Sequence, residues 1–458
     1  MNTRRDDSAL GIREPPRSLL GGLRRIGPGL IITASIVGSG ELIMTTKMGA
    51  EAGYTLLWFL VLGCIVKVFV QIEIGRYTIC SGSTTLETLD IVPGPRFRVS
   101  WLAWFWLIMY VLVLCQVSGI VSAVANIFAS RTGPESDRVW AAIVAASCAL
   151  LLVAGRYRLV ERVSTVMVFC FTLATVLAVA ALYWTDYAVS WEQVRAGFAF
   201  ELPASLTTAF GAFGIIGVGA SELIYYPYWC LEKGYARFVG PREDTDAWRE
   251  RARGWIRVLI LDAWVSLVVY TGATIAFYVL GASVLHARGE EVLDSDLIST
   301  LSIMYSETFG PAGLWIFLVG AFMVLYSTFF VSTASNARLF ADALSVFGVH
   351  RFRDARQRLL TVKAASVLIP AVAFVILVLW PNKPVTLVFV GAIAQALMLP
   401  FLAAAAIYVQ RRRLDPLLRP GCGFSVGLWA ACLSMGALAA YQVWDYSVKF
   451  LRENGFLS

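Results

Sequence analysis

The feature that most constrains this chain is a recurrence: apolar blocks follow one another along the sequence, separated by short polar breaks. A hydrocarbon core roughly 30 Å thick is crossed by about 20 helical residues, and each block is long enough to do so. Only 15% of the 458 residues are charged, against about 25% in a soluble domain, and mean hydropathy is +0.70. A soluble enzyme, a fibrous protein and a disordered chain are thereby excluded. The blocks lack strict polar–apolar alternation, which excludes a transmembrane barrel. The expected fold class is an all-α polytopic membrane protein.

Eleven spans are expected, at residues 26–50, 54–80, 100–128, 138–154, 160–184, 205–230, 257–281, 312–336, 359–380, 384–409 and 424–445. Residues 1–25 form a basic tail with six Arg and no signal-peptide cleavage pattern. With that tail inside, 26 of the 38 Lys and Arg fall in cytoplasmic segments and 7 in external ones. The remaining five, Lys47, Lys67, Arg76, Arg338 and Lys363, are assigned to spans. This asymmetry predicts a multi-pass cell-membrane protein with its N-terminus cytoplasmic and its C-terminus external. It also accounts for the net charge of +7, so no nucleic-acid partner is invoked. Of the two long connections, 231–256 is mixed in charge, whereas 282–311 carries Glu290, Glu291, Asp294 and Asp296 and reads as a plain solvated loop.

Several chemistries are missing from the residue inventory. The two His, His286 and His350, lie in polar connections, and the eight Cys include no CxxC pair. No His-rich or thiolate metal site can therefore form in the membrane. There is no phosphate-cradling GxxxxGK[ST] loop and no nucleophile–base–orienter set, which argues against ATP-driven transport and against an enzyme.

The chain also repeats itself. Val37-Gly38-Ser39-Gly40-Glu41-Leu42-Ile43 in span 1 matches Val218-Gly219-Ala220-Ser221-Glu222-Leu223-Ile224 in span 6 at five of seven positions, offset by 181 residues. Spans 1 and 6 open two sets of five, leaving span 11 as an extra. The expected units are 26–184 and 205–409, related as an inverted repeat, plus 424–445. Gly-Ser-Gly and Gly-Ala-Ser are poor helix formers, so both helices are expected to break near the midplane. A break frees backbone groups, which is tolerated only where protein or a water-filled cavity satisfies them. A Glu follows each break. A carboxylate in mid-membrane costs about 2.5–3.5 kcal/mol on insertion scales, and two facing one cavity call for a cation, a proton or a basic partner. The same Glu41 and Glu222 would also suit the N-termini of the half-helices they begin.

Other buried charges carry less meaning. Glu73 and Arg76, three apart, are placed to pair. Lys67 needs a partner on another helix or a wet edge, and Lys47 can extend outward. Thr328, Ser332, Ser335 and Asn336 form a stripe at helical spacing, suited to helix packing or to a second ion.

Gly27-Pro28-Gly29, the run Gly49-Ala50-Glu51-Ala52-Gly53-Tyr54-Thr55-Leu56-Leu57-Trp58, then Gln71, Arg76 and Gly82 resemble the Nramp family of divalent metal transporters. Gly214-Ile215-Ile216-Gly217 and Leu399-Pro400-Phe401 are similar to its span 6 and span 10 signatures. The resemblance implies the LeuT-type fold. Its metal site does not carry over. The family's Asp-Pro-Gly-Asn falls on Gly38-Ser39-Gly40-Glu41, and its Met-Pro-His-Asn on Ser221-Glu222-Leu223-Ile224, with its His positions at Leu223 and Tyr228. Span 3 offers Gln116 and Ser118 in place of acids. The family's span 10 Gln becomes Ala392, with Gln395 about one turn further on. Losing Met and Asn while gaining two Glu shifts the site toward hard oxygen ligands, suited to magnesium, calcium or manganese. Small residues at the break are expected to widen the cavity toward a partly hydrated ion.

The function expected is secondary transport of a hard divalent cation by alternating access. Glu41 and Glu222 would be its metal ligands, assisted by Gly38, Ser39, Gly40, Gly219, Ser221 and Gln395. Thr328 and Ser332 are candidates for a second or coupling ion. The alternative on the same fold is a proton- or sodium-coupled carrier of an amino acid or small organic solute, with Tyr225, Tyr226, Tyr228 and Trp229 lining a larger pocket or forming an interfacial belt. A non-transporting receptor would need a sizeable effector domain, and the longest tail is only about 25 residues. The expected partners are membrane lipid and the transported species, which is cargo and not a cofactor. A monomer is expected.

Overall fold

The computed structural model describes residues 11–154, 157–201 and 207–453. The start of the basic tail and the first two positions of the expected sixth span lie outside the described residues. Among the described residues, nine helices are long and apolar enough to cross a membrane, and one bent pair makes a tenth span. They are Leu57–Ser81 (span 2), Trp101–Thr132 (3), Asp137–Ala154 (4), Thr207–Lys233 (6), Asp246–Arg288 (7), Pro311–Val346 (8), Ala355–Leu379 (9), Pro384–Arg412 (10) and a last helix from Cys422 (11), with the pair Pro28–Ile36 and Gly40–Ala52 as span 1. Helix Tyr157–Ala181 stands where span 5 is expected. The only strands described are the two-residue pair Arg96–Phe97 and Val99–Ser100 in the span 2–3 connection.

Helix starts follow local chemistry. Ser100, Thr245 and Asp354 each accept a hydrogen bond from the backbone three residues on, which satisfies an amide that would otherwise be orphaned. Span 1 lacks such a cap, because Gly27 has no side chain to offer. Its cap comes from span 7: Asp262 accepts from Gly27 N at 2.9 Å and from Gly29 N at 2.6 Å. Pro28 between them has no N–H to satisfy. Tyr226 of span 6 donates to the same carboxylate at 3.0 Å, so one fully buried Asp ties spans 1, 6 and 7. The sequence reading overlooked it as an isolated acid in an apolar run. Asp262→Ala strands two buried amides, and a loss of about 3 kcal/mol is expected. Thermal unfolding in detergent measures it, with Asp262→Asn losing less because it keeps one acceptor.

Glu73 and Arg76 pair at 3.1 Å, and Arg76 reaches the Leu418 carbonyl at 3.5 Å, linking span 2 to the segment before span 11. Lys47 does not extend freely outward: it pairs with Glu51 at 2.9 Å and donates to the Val292 carbonyl at 3.0 Å. Residues 282–311 are not a plain loop. They include helix Leu297–Phe309, which buries Leu297, Leu301, Met304 and Tyr305. Asp294 accepts from Val385 N at 2.7 Å and Thr386 N at 3.1 Å, capping span 10. Charge counting missed this because the apolar face of that helix is only 13 residues long, too short to read as a span.

Candidate ion-binding site

Both expected breaks are present. Span 1 is helical over Pro28–Ile36, leaves helical geometry at Val37 (ψ 81°) and resumes as a π-helical turn over Gly40–Thr45 before Thr46–Ala52, with a bend of 43° between its halves. Span 6 is helical over Thr207–Ile215 and again over Ala220–Lys233. Between them Gly217 takes φ +60° and Gly219 is extended. The positive φ needs a glycine, since a Cβ there would be strained.

The breaks clasp each other through their carboxylates. Glu41 of span 1 accepts from Gly217 N in the span 6 break at 3.2 Å, from Thr274 Oγ1 of span 7 at 3.1 Å, and from Gly38 N at 3.5 Å. Glu222 of span 6 accepts from Ser35 Oγ of span 1 at 2.8 Å, and its other oxygen lies against the backbone of Gly219. Glu222 sits in the first turn of its half-helix, where the helix dipole favours negative charge.

One small cavity lies between the breaks. Glu222, Ser35, Ser39, Gly40, Ser221, Thr328, Ser332, Gln116 and Gln395 supply its polar lining, and Ile36, Val113, Ile120 and Ile215 the rest. Its free volume is about 10 Å³, close to the minimum for a single water. Gln395 organises one wall: its carbonyl accepts from Ser221 N at 2.9 Å and its amide donates to Gln116 at 2.7 Å. Ser39 Oγ is buried without a hydrogen-bond partner.

The sequence-predicted residues thus divide. Glu222, Ser39, Gly40, Ser221, Gln395, Thr328 and Ser332 share the cavity. Gly38 packs against Thr328, and Gly219 against Glu222 and Gln395. Glu222 lines this cavity and Glu41 does not. The Glu41 oxygens turn instead to the backbone of the two breaks and to span 7.

The cavity is not widened either. A Cβ on Gly38 would lie 1.6 Å from Thr328 Oγ1, so span 8 fills the space that the small residue leaves. Thr328 Oγ1 donates to the carbonyls of Ala34 and Ser35, both at 3.3 Å. Further along the stripe, Asn336 donates to Ser332 at 3.2 Å and Ser335 accepts from Trp229 at 3.2 Å. Tyr225, Tyr226, Tyr228 and Trp229 are all buried, so they form no interfacial belt, and none lines the cavity. Ser35 is the one polar lining residue that sequence reasoning did not single out; a lone Ser in an apolar helix gives no signal.

Among the described residues no cluster of three or more His, Cys, Asp or Glu is placed to hold a metal. The donor set is one carboxylate, hydroxyls and two amides, all hard oxygen ligands.

A family model described as natural resistance-associated macrophage protein-like (Nramp) matches residues 29–445. An uncharacterised protein of Pasteurella multocida is 24% identical over 319 residues, which is 66% of either chain and just under two thirds of that relative's length. Among solved structures, a mutant manganese transporter of Eremococcus coleocola superposes with a TM-score of 0.69 at 14% identity, covering 97% of this chain and 90% of that one. Mhp1, a nucleobase-cation-symport-1 family transporter, gives 0.59 at 16% identity over 91% and 92%. MhsT in complex with L-phenylalanine gives 0.54 at 14% identity over 94% and 98%. The fold is therefore that of the LeuT-type transporters, with spans 1 and 6 broken.

Proposed function

We propose that this chain, which belongs to the natural resistance-associated macrophage protein (Nramp) family, is a divalent metal transporter. The cargo is a hard cation of the magnesium or manganese kind. It binds between the two breaks with Glu222 as its charged ligand, and alternating access carries it across. The observation that carries this reading is the cavity itself: one carboxylate, otherwise neutral oxygen donors, and about 10 Å³ of free space. Space of that size suits an ion and is far too small for an amino acid, which favours the metal over an organic solute. Neutral hydroxyls and amides at Ser39, Ser221, Gln116 and Gln395 can replace hydration water around a hard cation. The soft thioether that would favour later transition metals is missing, because Ser221 occupies its position. Glu41 acts as a framework acceptor and not as a ligand. The excess of basic residues in one set of loops supports a cytoplasmic N-terminus.

Uptake of manganese and of magnesium into proteoliposomes tests the reading. Saturable uptake of at least one, with each competing against the other, is expected. Uptake of neither would overturn it, and accumulation of an amino acid in its place would establish the organic-solute alternative.

A further inference from the structure

Lys67 is the buried charge that the transport reading does not use. It lies in the middle of span 2, is 0% exposed, and makes no ion pair within 4 Å among the described residues. Its ammonium donates to the carbonyls of Phe213 and Ile216, the latter at 2.6 Å, and sits 4.4 Å from the centre of the Phe213 ring. Those carbonyls belong to the end of the first half of span 6. That end has lost its helical acceptors' partners to the break and carries the negative pole of the half-helix dipole. Two converging carbonyls and an aromatic face make a cation site. Here a side chain of the protein occupies it. At the other end of the same Ile216–Gly217 peptide, Glu41 accepts from Gly217 N.

We propose that Lys67 is a tethered counter-cation: a positioning residue whose ammonium fills a cation site at the span 6 break and presets the geometry on which Glu222 is mounted, so that no inorganic ion is needed there. Three features support this beyond simple burial of a lysine. The ammonium lies on the carbonyl side of the break and the Glu41 carboxylate on the amide side, so each break pole meets its opposite charge. Ile215, next to Ile216, lines the ion cavity, which links the Lys67 contact directly to the cavity wall. An unpaired ammonium at this depth is costly, and its cost is offset here by acceptors that the break alone exposes.

The test is chemical rescue. Lys67→Ala, Lys67→Met and Lys67→Arg are reconstituted, and manganese uptake is measured in choline medium with and without millimolar methylammonium. Thermal unfolding in detergent is followed on the same preparations. The expected result is a tenfold or greater fall in uptake for Lys67→Met. For Lys67→Ala, methylammonium, which choline is too large to imitate, should restore uptake at least threefold and raise the unfolding temperature. Wild type should respond to neither. Because the unfolding readout needs no cargo, rescue there stands even if manganese is not transported, which separates this proposal from the transport reading. Wild-type behaviour of Lys67→Met in both readouts would overturn it. So would a loss in Lys67→Ala that methylammonium leaves unchanged in both readouts while Lys67→Arg is equally impaired. Should Lys67→Met fail to fold, Lys67→Met combined with Glu41→Gln decides the matter. Removing the negative charge at the other end of the Ile216–Gly217 peptide should recover folded protein if the ammonium acts as a counter-charge, and should not if Lys67 merely fills space.

Discussion

Glu222→Gln is expected to lower manganese uptake and manganese affinity about a hundredfold while leaving the protein folded. Glu222 is the single charged group lining the cavity between the breaks. Replacing it with an amide of the same shape removes the one full negative charge that a divalent cation would meet. Deleting one member of a buried, desolvated charge pair costs about 2–5 kcal/mol, and about 3 kcal/mol is a little over a hundredfold in affinity. The fold should survive because the Gln carbonyl can still accept from Ser35 Oγ, the hydrogen bond that links spans 1 and 6 at 2.8 Å. Isothermal titration with manganese, alongside flux, checks both halves. Wild-type affinity in the variant would remove Glu222 from the site.

Glu41→Ala is expected to behave in the opposite way, with its main effect on stability. The carboxylate accepts from Gly217 N and Gly38 N and lies 3.1 Å from Thr274 Oγ1, whose hydroxyl also has the Tyr270 carbonyl at 2.7 Å. Its removal would leave two buried amides without acceptors. Breaking such a buried network costs about 3–5 kcal/mol, and the unfolding midpoint should fall accordingly. Glu41→Gln keeps an acceptor of the same reach, so it should lose clearly less stability and retain most manganese affinity. If Glu41→Gln abolishes binding as completely as Glu222→Gln with little change in stability, Glu41 is a ligand and the division of labour between the two carboxylates fails.

That division also marks where the sequence stops being informative. The apolar blocks and the Val-Gly…Glu-Leu-Ile repeat announce a helical membrane fold and locate both breaks to within about three residues, the span 6 break falling at Ile216–Gly219, ahead of the helical Ala220 and Ser221. The repeat further singles out both Glu. It cannot tell that they face differently. Glu222 begins an α-helical half with Gly219 as its extended start, whereas Glu41 lies in a π-helical turn, Gly40–Thr45. The backbone ahead of each also differs, with Val37 at ψ 81° in one break and Gly219 at ψ 173° in the other, so equivalent positions in the motif enter their half-helices on different paths.

Contacts that join distant segments were likewise unreadable. Asp262 caps span 1 from more than 230 positions away, and Lys67 finds its carbonyls about 150 residues along the chain. Neither spacing has a pattern that a single sequence displays. Thr328 closing over Gly38 is the same kind of case. A glycine promises space, but only the tertiary packing says which neighbour takes it.

The central claim is that the ion is held at Glu222 and not shared between two carboxylates. Anomalous diffraction near the manganese edge, on crystals grown with manganese, tests it most directly. The expected result is a peak in the cavity lined by Glu222, Ser39, Ser221 and Gln395, with a Glu222 oxygen at about 2.0–2.6 Å, the range for hard divalent cations on oxygen. In that map Glu41 should remain hydrogen-bonded to Gly217 and Thr274. A peak bonded to Glu41, or no peak in this cavity at saturating manganese, would contradict the claim.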